Sequence, residues 1–174
     1  MRNGDSKCCP GMALSLRGSV LLRLKPPGMP GLMKKTVLIV EDDHDIATTL
    51  RDRLEMLGFD IVTVYDGLSA LETLERARPD LMLLDLHLPR LSGFEVLEQV
   101  AARRAEGSAS HDVPIVIMSA FLQAKTAAMA LDAGVHSFVG KPFEWNEFFG
   151  ILEHAVREHA RKRAGSASSD GDQP

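Results

Sequence analysis

Five short apolar runs alternate with amphipathic stretches between Lys34 and Arg161, and this alternation restricts the chain to folds built from repeated strand–helix units. The strands are expected at Thr36–Val40, Asp60–Val64, Leu81–Leu84, Val113–Met118 and Ser137–Val139. Ile46, Leu50, Leu54 and Leu57 recur at helical spacing before Gly58, and Leu68, Leu71, Leu74 and Ala77 do so before Pro79. Trp145, Phe148, Phe149, Leu152, Ala155 and Val156 form another helical stripe, its aromatic members read as packing residues. Further helices are expected from Gly93 to Arg103 and from Gln123 to Ala133, the latter stopped by Gly134.

Strands that are apolar almost throughout belong to a parallel sheet with helices on both faces. The expected architecture is therefore an α/β, flavodoxin-like (βα)5 doubly wound sheet in a single domain, with strand order 2-1-3-4-5. That order puts the first and third strands side by side. Groups that follow the strands then gather at the carboxyl edge, where open α/β sheets bind ligands.

Four such groups occur in a fixed order. VLIV leads into Glu41-Asp42-Asp43, LMLL into Asp85, VPIVIM into Ser119, and SFVG into Lys141-Pro142. Glu41, Asp42 and Asp85 would converge, and like charges held together raise one another's pKa. A divalent cation relieves this, and oxygen ligands with room for water and a phosphoryl group favour Mg2+. A carboxylate can then attack phosphorus, while Lys141 and the Ser119 hydroxyl neutralise the equatorial oxygens. Phosphoryl transfer asks mainly for such positioning, so no separate base is required. Asp43 is read as the cap of the helix that follows it.

These segments, VLIVEDDHDI, PDLMLLDLHLPRLSGFEVL, VPIVIMSA and AGVHSFVGKPF, resemble the receiver domain of bacterial two-component response regulators in order and approximate spacing. The resemblance covers nearly all of Lys34–Arg161. It implies that Asp85 accepts phosphate from a phosphohistidine of a sensor histidine kinase or phosphotransfer protein. It further implies Mg2+ bound by Asp42, by Glu41 through water, by Asp85 and by the backbone carbonyl of His87. Ser119 becomes the hydroxyl that moves toward the phosphoryl group, Lys141 its counter-ion, and Phe138 the aromatic switch residue. The Lys141–Pro142 bond is expected to be cis, as is usual in the family. The segment from Gln123 to Arg161 is the implied output face, for a downstream protein or for homodimerisation. Charged hydrogen bonds are worth about 1.5–3 kcal/mol each, and turning a 1:99 population into 99:1 takes about 5.5 kcal/mol. Two or three new contacts to a phosphoryl group suffice for a switch.

The chain departs from common choices in the family at several positions. Ser92 stands where an Asp often precedes the glycine, and Phe138 lacks the hydroxyl of the frequent Tyr. His87 and Phe121 occupy the positions two beyond Asp85 and Ser119, where side chains tune attack by water. A bulky apolar Phe121 should exclude water, so slow autodephosphorylation is expected.

Two readings from other classes compete with the switch. Phosphatases like the haloacid dehalogenases also use an Asp nucleophile, but place it in a DxD pattern on their first strand, opposite to the order here. A receiver-like interaction module working without phosphate is the other. No GxxxxGK or GxGxxG loop follows a strand, which argues against nucleotide binding. The formal net charge of −4 gives no electrostatic footprint for nucleic acid. Direct DNA binding is not expected, and the action expected is that of a stand-alone receiver without enzymatic turnover of an external substrate.

Outside this region the composition changes. Residues 1–33 carry Arg2, Lys7, Arg17, Arg23 and Lys25 against Asp5 and end rich in Pro and Gly. They are read as a disordered leader with Met33 as the natural start, a basic arm on anionic membranes being the other reading. The stretch from Met12 to Leu24 is too short and too charged to insert into a membrane. Residues 162–174 are read as a disordered polar tail. Cys8 and Cys9 are adjacent and lack zinc-site spacing, which suits a reducing cytoplasm. His44, His111, His136, His154 and His159 show no ligand spacing either.

Overall fold

The computed structural model describes residues 35–120 and 134–167. Phe121 and the helix expected from Gln123 to Ala133 lie outside the described residues, as do the leader and residues 168–174. The elements are β1 (Thr36–Val40), α1 (His44–Leu57), β2 (Asp60–Val64), α2 (Gly67–Ala77), β3 (Leu81–Asp85), α3 (Gly93–Ala105), a 3-10 turn (Ala109–His111), β4 (Ile115–Ser119), β5 (Ser137–Gly140) and α4 (Trp145–Ala167). The strands form one parallel sheet in the order β2-β1-β3-β4-β5.

Alternation along the strands divides the core into two layers. Val37, Ile39, Leu81, Leu83, Val116 and Met118 point to one face, where Leu50 and Leu54 of α1 and Phe148 and Leu152 of α4 cover them. Leu38, Val40, Met82, Leu84, Ile115 and Ile117 point to the other, against α2 and α3. Both faces of the central strands are thus sealed, which explains why their sequences are apolar throughout.

Local chemistry fixes the element ends. The Asp43 carboxylate caps α1 by accepting hydrogen bonds from the backbone N–H groups of Asp45 (2.9 Å) and Ile46 (3.1 Å). Gly58 ends the helix at φ 96°, a left-handed conformation that glycine adopts without a Cβ penalty. Ser92 and Glu95 form a reciprocal capping box at the start of α3. The serine that departs from the family's usual Asp therefore still caps the helix.

Several boundaries differ from the expected ones: β3, β4 and β5 each end one residue later, at Asp85, Ser119 and Gly140. β4 begins at Ile115 rather than Val113, because the Val113 N–H donates to the His111 carbonyl (3.0 Å) and Pro114 has no N–H. The Arg104 guanidinium holds this turn, donating to the carbonyls of His111 (2.6 Å), Gly134 (3.1 Å) and Val113. α3 continues two residues past Arg103, to Ala105. α4 continues to Ala167, past the expected domain end at Arg161, and Lys162 and Arg163 pair there with Glu158 (3.1 Å) and Asp112 (3.8 Å).

Candidate functional site

The sheet register determines what meets at the carboxyl edge. Val40 pairs with Leu84, so Glu41 and Asp85 follow in the same row of neighbouring strands. Asp85 pairs with Met118 and Ser119 with Gly140, which brings the Ser119 and Lys141 backbones alongside. The Lys141 N–H donates to the Ser119 carbonyl (2.9 Å), and the Lys141–Pro142 peptide is cis.

Lys141 is the centre of the constellation. Its Nζ donates to Glu41 Oε2 at 2.5 Å and also to Asp85 Oδ2. Asp85 Oδ1 accepts the His87 backbone N–H at 2.9 Å. Glu41, Asp85 and Ser119 are buried, whereas Asp42 is exposed. One oxygen from each of Glu41, Asp42 and Asp85 lies within 4.8 Å of the others.

Burial pushes the Glu41 carboxyl up from its ordinary 4.5 to about 7, with the Asp85 charge adding to the rise and Lys141 opposing it. Burial also works against the charged form of Lys141. Its hydrogen bonds to Asp85 and Glu41 outweigh that and hold the ammonium above its ordinary value. A buried carboxyl strained toward neutrality beside a second buried acid and an exposed third is a donor set suited to a hard divalent cation. Mg2+ fits it on ligand type, because it binds through one or two carboxylates and retains water.

The remaining expected site residues are more peripheral. The His87 ring is exposed, with Nδ1 3.9 Å from Asp85 Oδ1. Phe138 on β5 is half-buried, packed against the layer under α2 and α3. Trp145 packs edge-on against Phe143 and Phe148, and the Arg53 guanidinium lies 4.2 Å from its ring centroid.

Two features went unread in the sequence. Buried Asp66 caps α2 by accepting the Ser69 N–H (2.9 Å), and its other oxygen takes the Arg90 guanidinium. Burial acts to raise the Asp66 pKa, but the hydrogen bonds from Ser69 and Arg90 hold it below the ordinary carboxylate value. Arg90 itself has φ 65° and lies in the loop after Asp85, so this pair ties α2 to that loop. The Asp-Gly-Leu-Ser run signals the cap, whereas nothing in the sequence marks Arg90 as its partner. The second feature is Gly93. A Cβ there would collide with the Asp85 carbonyl oxygen and approach Leu86 Cα to 2.7 Å, so α3 can sit this close to the end of β3 only without a side chain.

Comparison with known proteins agrees with this geometry. The family model for the response regulator receiver domain matches residues 37–153. The transcriptional regulatory protein PrrA of Mycobacterium bovis is 33% identical over 142 residues, covering 82% of this chain and 57% of PrrA. The response regulator MprA of Mycobacterium ulcerans is 32% identical over 125 residues, covering 72% of this chain and 51% of MprA. The chain therefore spans about half the length of these relatives. Among solved structures, the receiver domain of the sensor histidine kinase PA1611 from Pseudomonas aeruginosa, with magnesium in its active-site cleft, is 29% identical. It superimposes with a TM-score of 0.63, covering 71% of this chain and 98% of that one. The expectation of no direct DNA binding finds no support in these relatives, since PrrA is named a transcriptional regulator. Among the described residues no helix is long and apolar enough to cross a membrane. Sheet order, converging site groups and the match over residues 37–153 together make the chain a member of the response regulator receiver domain family.

Proposed function

We propose that this chain is a phosphoryl-accepting switch in which Asp85 takes phosphate from the phosphohistidine of a sensor kinase or phosphotransfer protein. The observation that carries the reading is the Lys141 ammonium shared between buried Glu41 and Asp85, at the point where four strand ends meet. A carboxylate oxygen of Asp85 forms the new bond to phosphorus as the bond from phosphorus to the donor nitrogen breaks. The His87 N–H holds Asp85 Oδ1 and so fixes the plane of the carboxylate. Lys141 Nζ can turn from Asp85 Oδ2 to a phosphoryl oxygen without leaving Glu41, which keeps a positive charge where negative charge accumulates. Ser119, at the end of β4, supplies a hydroxyl to the same group.

Glu41, Asp42, Asp85 and the His87 carbonyl would hold Mg2+, which when bound neutralises charge on the phosphoryl oxygens. Movement of Ser119 toward the phosphoryl group would open space that Phe138, half-buried on the adjacent strand, can enter. The output face comprises β5, α4 and the segment before them, and its partner is a downstream protein or a second copy. Phe121 and His87 would set the rate of phosphate loss. The setting proposed is the cytoplasm, and the chemistry is confined to the protein's own phosphorylation and dephosphorylation.

Incubation with Mg2+ and acetyl phosphate, read by intact mass, tests this directly. The wild type should gain one phosphate and Asp85→Asn none. Beryllofluoride should shift backbone NMR signals near Ser119, Phe138 and Lys141. Absence of both changes with excess Mg2+ would overturn the reading in favour of a phosphate-independent interaction module.

A further inference from the structure

A second group of potential metal ligands lies away from the acidic site. His154 and Glu158 stand one helical turn apart on α4, and His136 lies in the chain entering β5. The Nε2 atoms of both histidines point at the same atom, Glu158 Oε2, each at 3.4 Å. The ligand atoms of all three residues lie within 4.8 Å of one another. We propose that His136, His154 and Glu158 bind a divalent transition-metal ion of the zinc class, clipping α4 to the start of β5.

The distances fit a shared metal ion. Zinc bonds of 2.0–2.1 Å in tetrahedral geometry place neighbouring ligand atoms about 3.3 Å apart. Both histidine–carboxylate separations, 3.4 Å, match that edge, so the remaining adjustment is closure between the two imidazoles. Both Nε2 atoms and Glu158 Oε2 thus face one shared point, the arrangement that a bound cation would bridge. Burial pushes the His136 pKa down, leaving the ring neutral and competent as a ligand near neutral pH.

The surroundings also provide for the geometry. His136 is anchored by its N–H to the Ile115 carbonyl (2.9 Å), so the sheet positions it. Lys162 takes the other carboxylate oxygen, Oε1, at 3.1 Å, which orients Glu158 and leaves Oε2 for the ion. The Lys162 ammonium acts against a cation, so binding is weaker than at a closed structural zinc site. Two nitrogens and one oxygen suit zinc better than Mg2+, and water completes the tetrahedron. The ion would tie the helix carrying the proposed output face to the residue that leads into β5, two positions before Phe138. The large separation of His136 from His154 in sequence hides this set from any spacing motif.

The test is calorimetric titration of the full chain with ZnCl2 in excess MgCl2, which occupies the acidic site. One zinc per chain should bind, with the ring signals of His136 and His154 shifting in NMR. Loss of an outer-shell partner alone weakens metal binding about 10–100-fold, so removing a ligand should weaken it at least as much. His154→Ala is the first variant because this side chain is 75% exposed and its loss leaves the core intact. His136→Gln and Glu158→Gln should weaken binding similarly, whereas Cys8→Ser/Cys9→Ser should leave it unchanged. No saturable binding, or binding that survives His154→Ala and disappears with the cysteines, would overturn the proposal.

Discussion

Glu41 would couple folding to binding of the proposed Mg2+. Its folded pKa, about 7, lies above its ordinary 4.5, so the folded state holds this proton more tightly than the unfolded chain. The resulting stabilisation is fully present below pH 4.5 and is lost as pH rises through about 7. In metal-free buffer, the urea midpoint of the wild type should therefore fall across this interval. Glu41→Gln should remove that part of the fall. Added Mg2+ should flatten the wild-type profile, because the cation favours the ionised carboxylate. Denaturation curves across the interval, with and without Mg2+, check all three outcomes.

At the scale of elements, the contact between α3 and β3 opposes simple propensity. Alanine is favoured over glycine by about 0.8–1.0 kcal/mol in helix interiors, so propensity alone gives no reason for Gly93→Ala, at the first residue of α3, to destabilise. The added Cβ would instead meet the Asp85 carbonyl and Leu86 Cα, both backbone atoms that cannot rotate aside. Overpacking of this kind costs about 1–3 kcal/mol, enough to reverse the sign. Gly93→Ala should lower the denaturation midpoint. It should also slow acceptance of phosphate from acetyl phosphate, since the atoms displaced belong to Asp85 and its neighbour.

For the molecule as a whole, stability depends on both layers of core being filled. Phe148 is fully buried against the sheet and among Phe143, Trp145 and Phe149, stacked on Phe143 at 4.6 Å between centroids. Phe→Ala at such a site costs about 3–5 kcal/mol, a large part of the 5–15 kcal/mol typical of a whole domain. Phe148→Ala should lower the melting temperature sharply in a calorimetric scan. The folded fraction should still accept phosphate, because the hydrogen bonds that join Glu41, Asp85 and Lys141 do not involve Phe148.

Periodicity and chain order determined the layers of this protein and the order of its strands, because a buried parallel strand must be apolar on both faces and a crossover must be right-handed. The same reasoning brought Glu41, Asp85, Ser119 and Lys141 to one edge. Only the tertiary structure decided how Lys141 divides between two acids, since burial and register set those distances. It also decided the pairing of Asp66 with Arg90 and the meeting of His136 with His154 and Glu158. The start of β4 belongs with these, because Arg104 reaches its carbonyls from a different element. Most of these contacts join residues from different elements, where local pattern carries no information about which side chains will face each other.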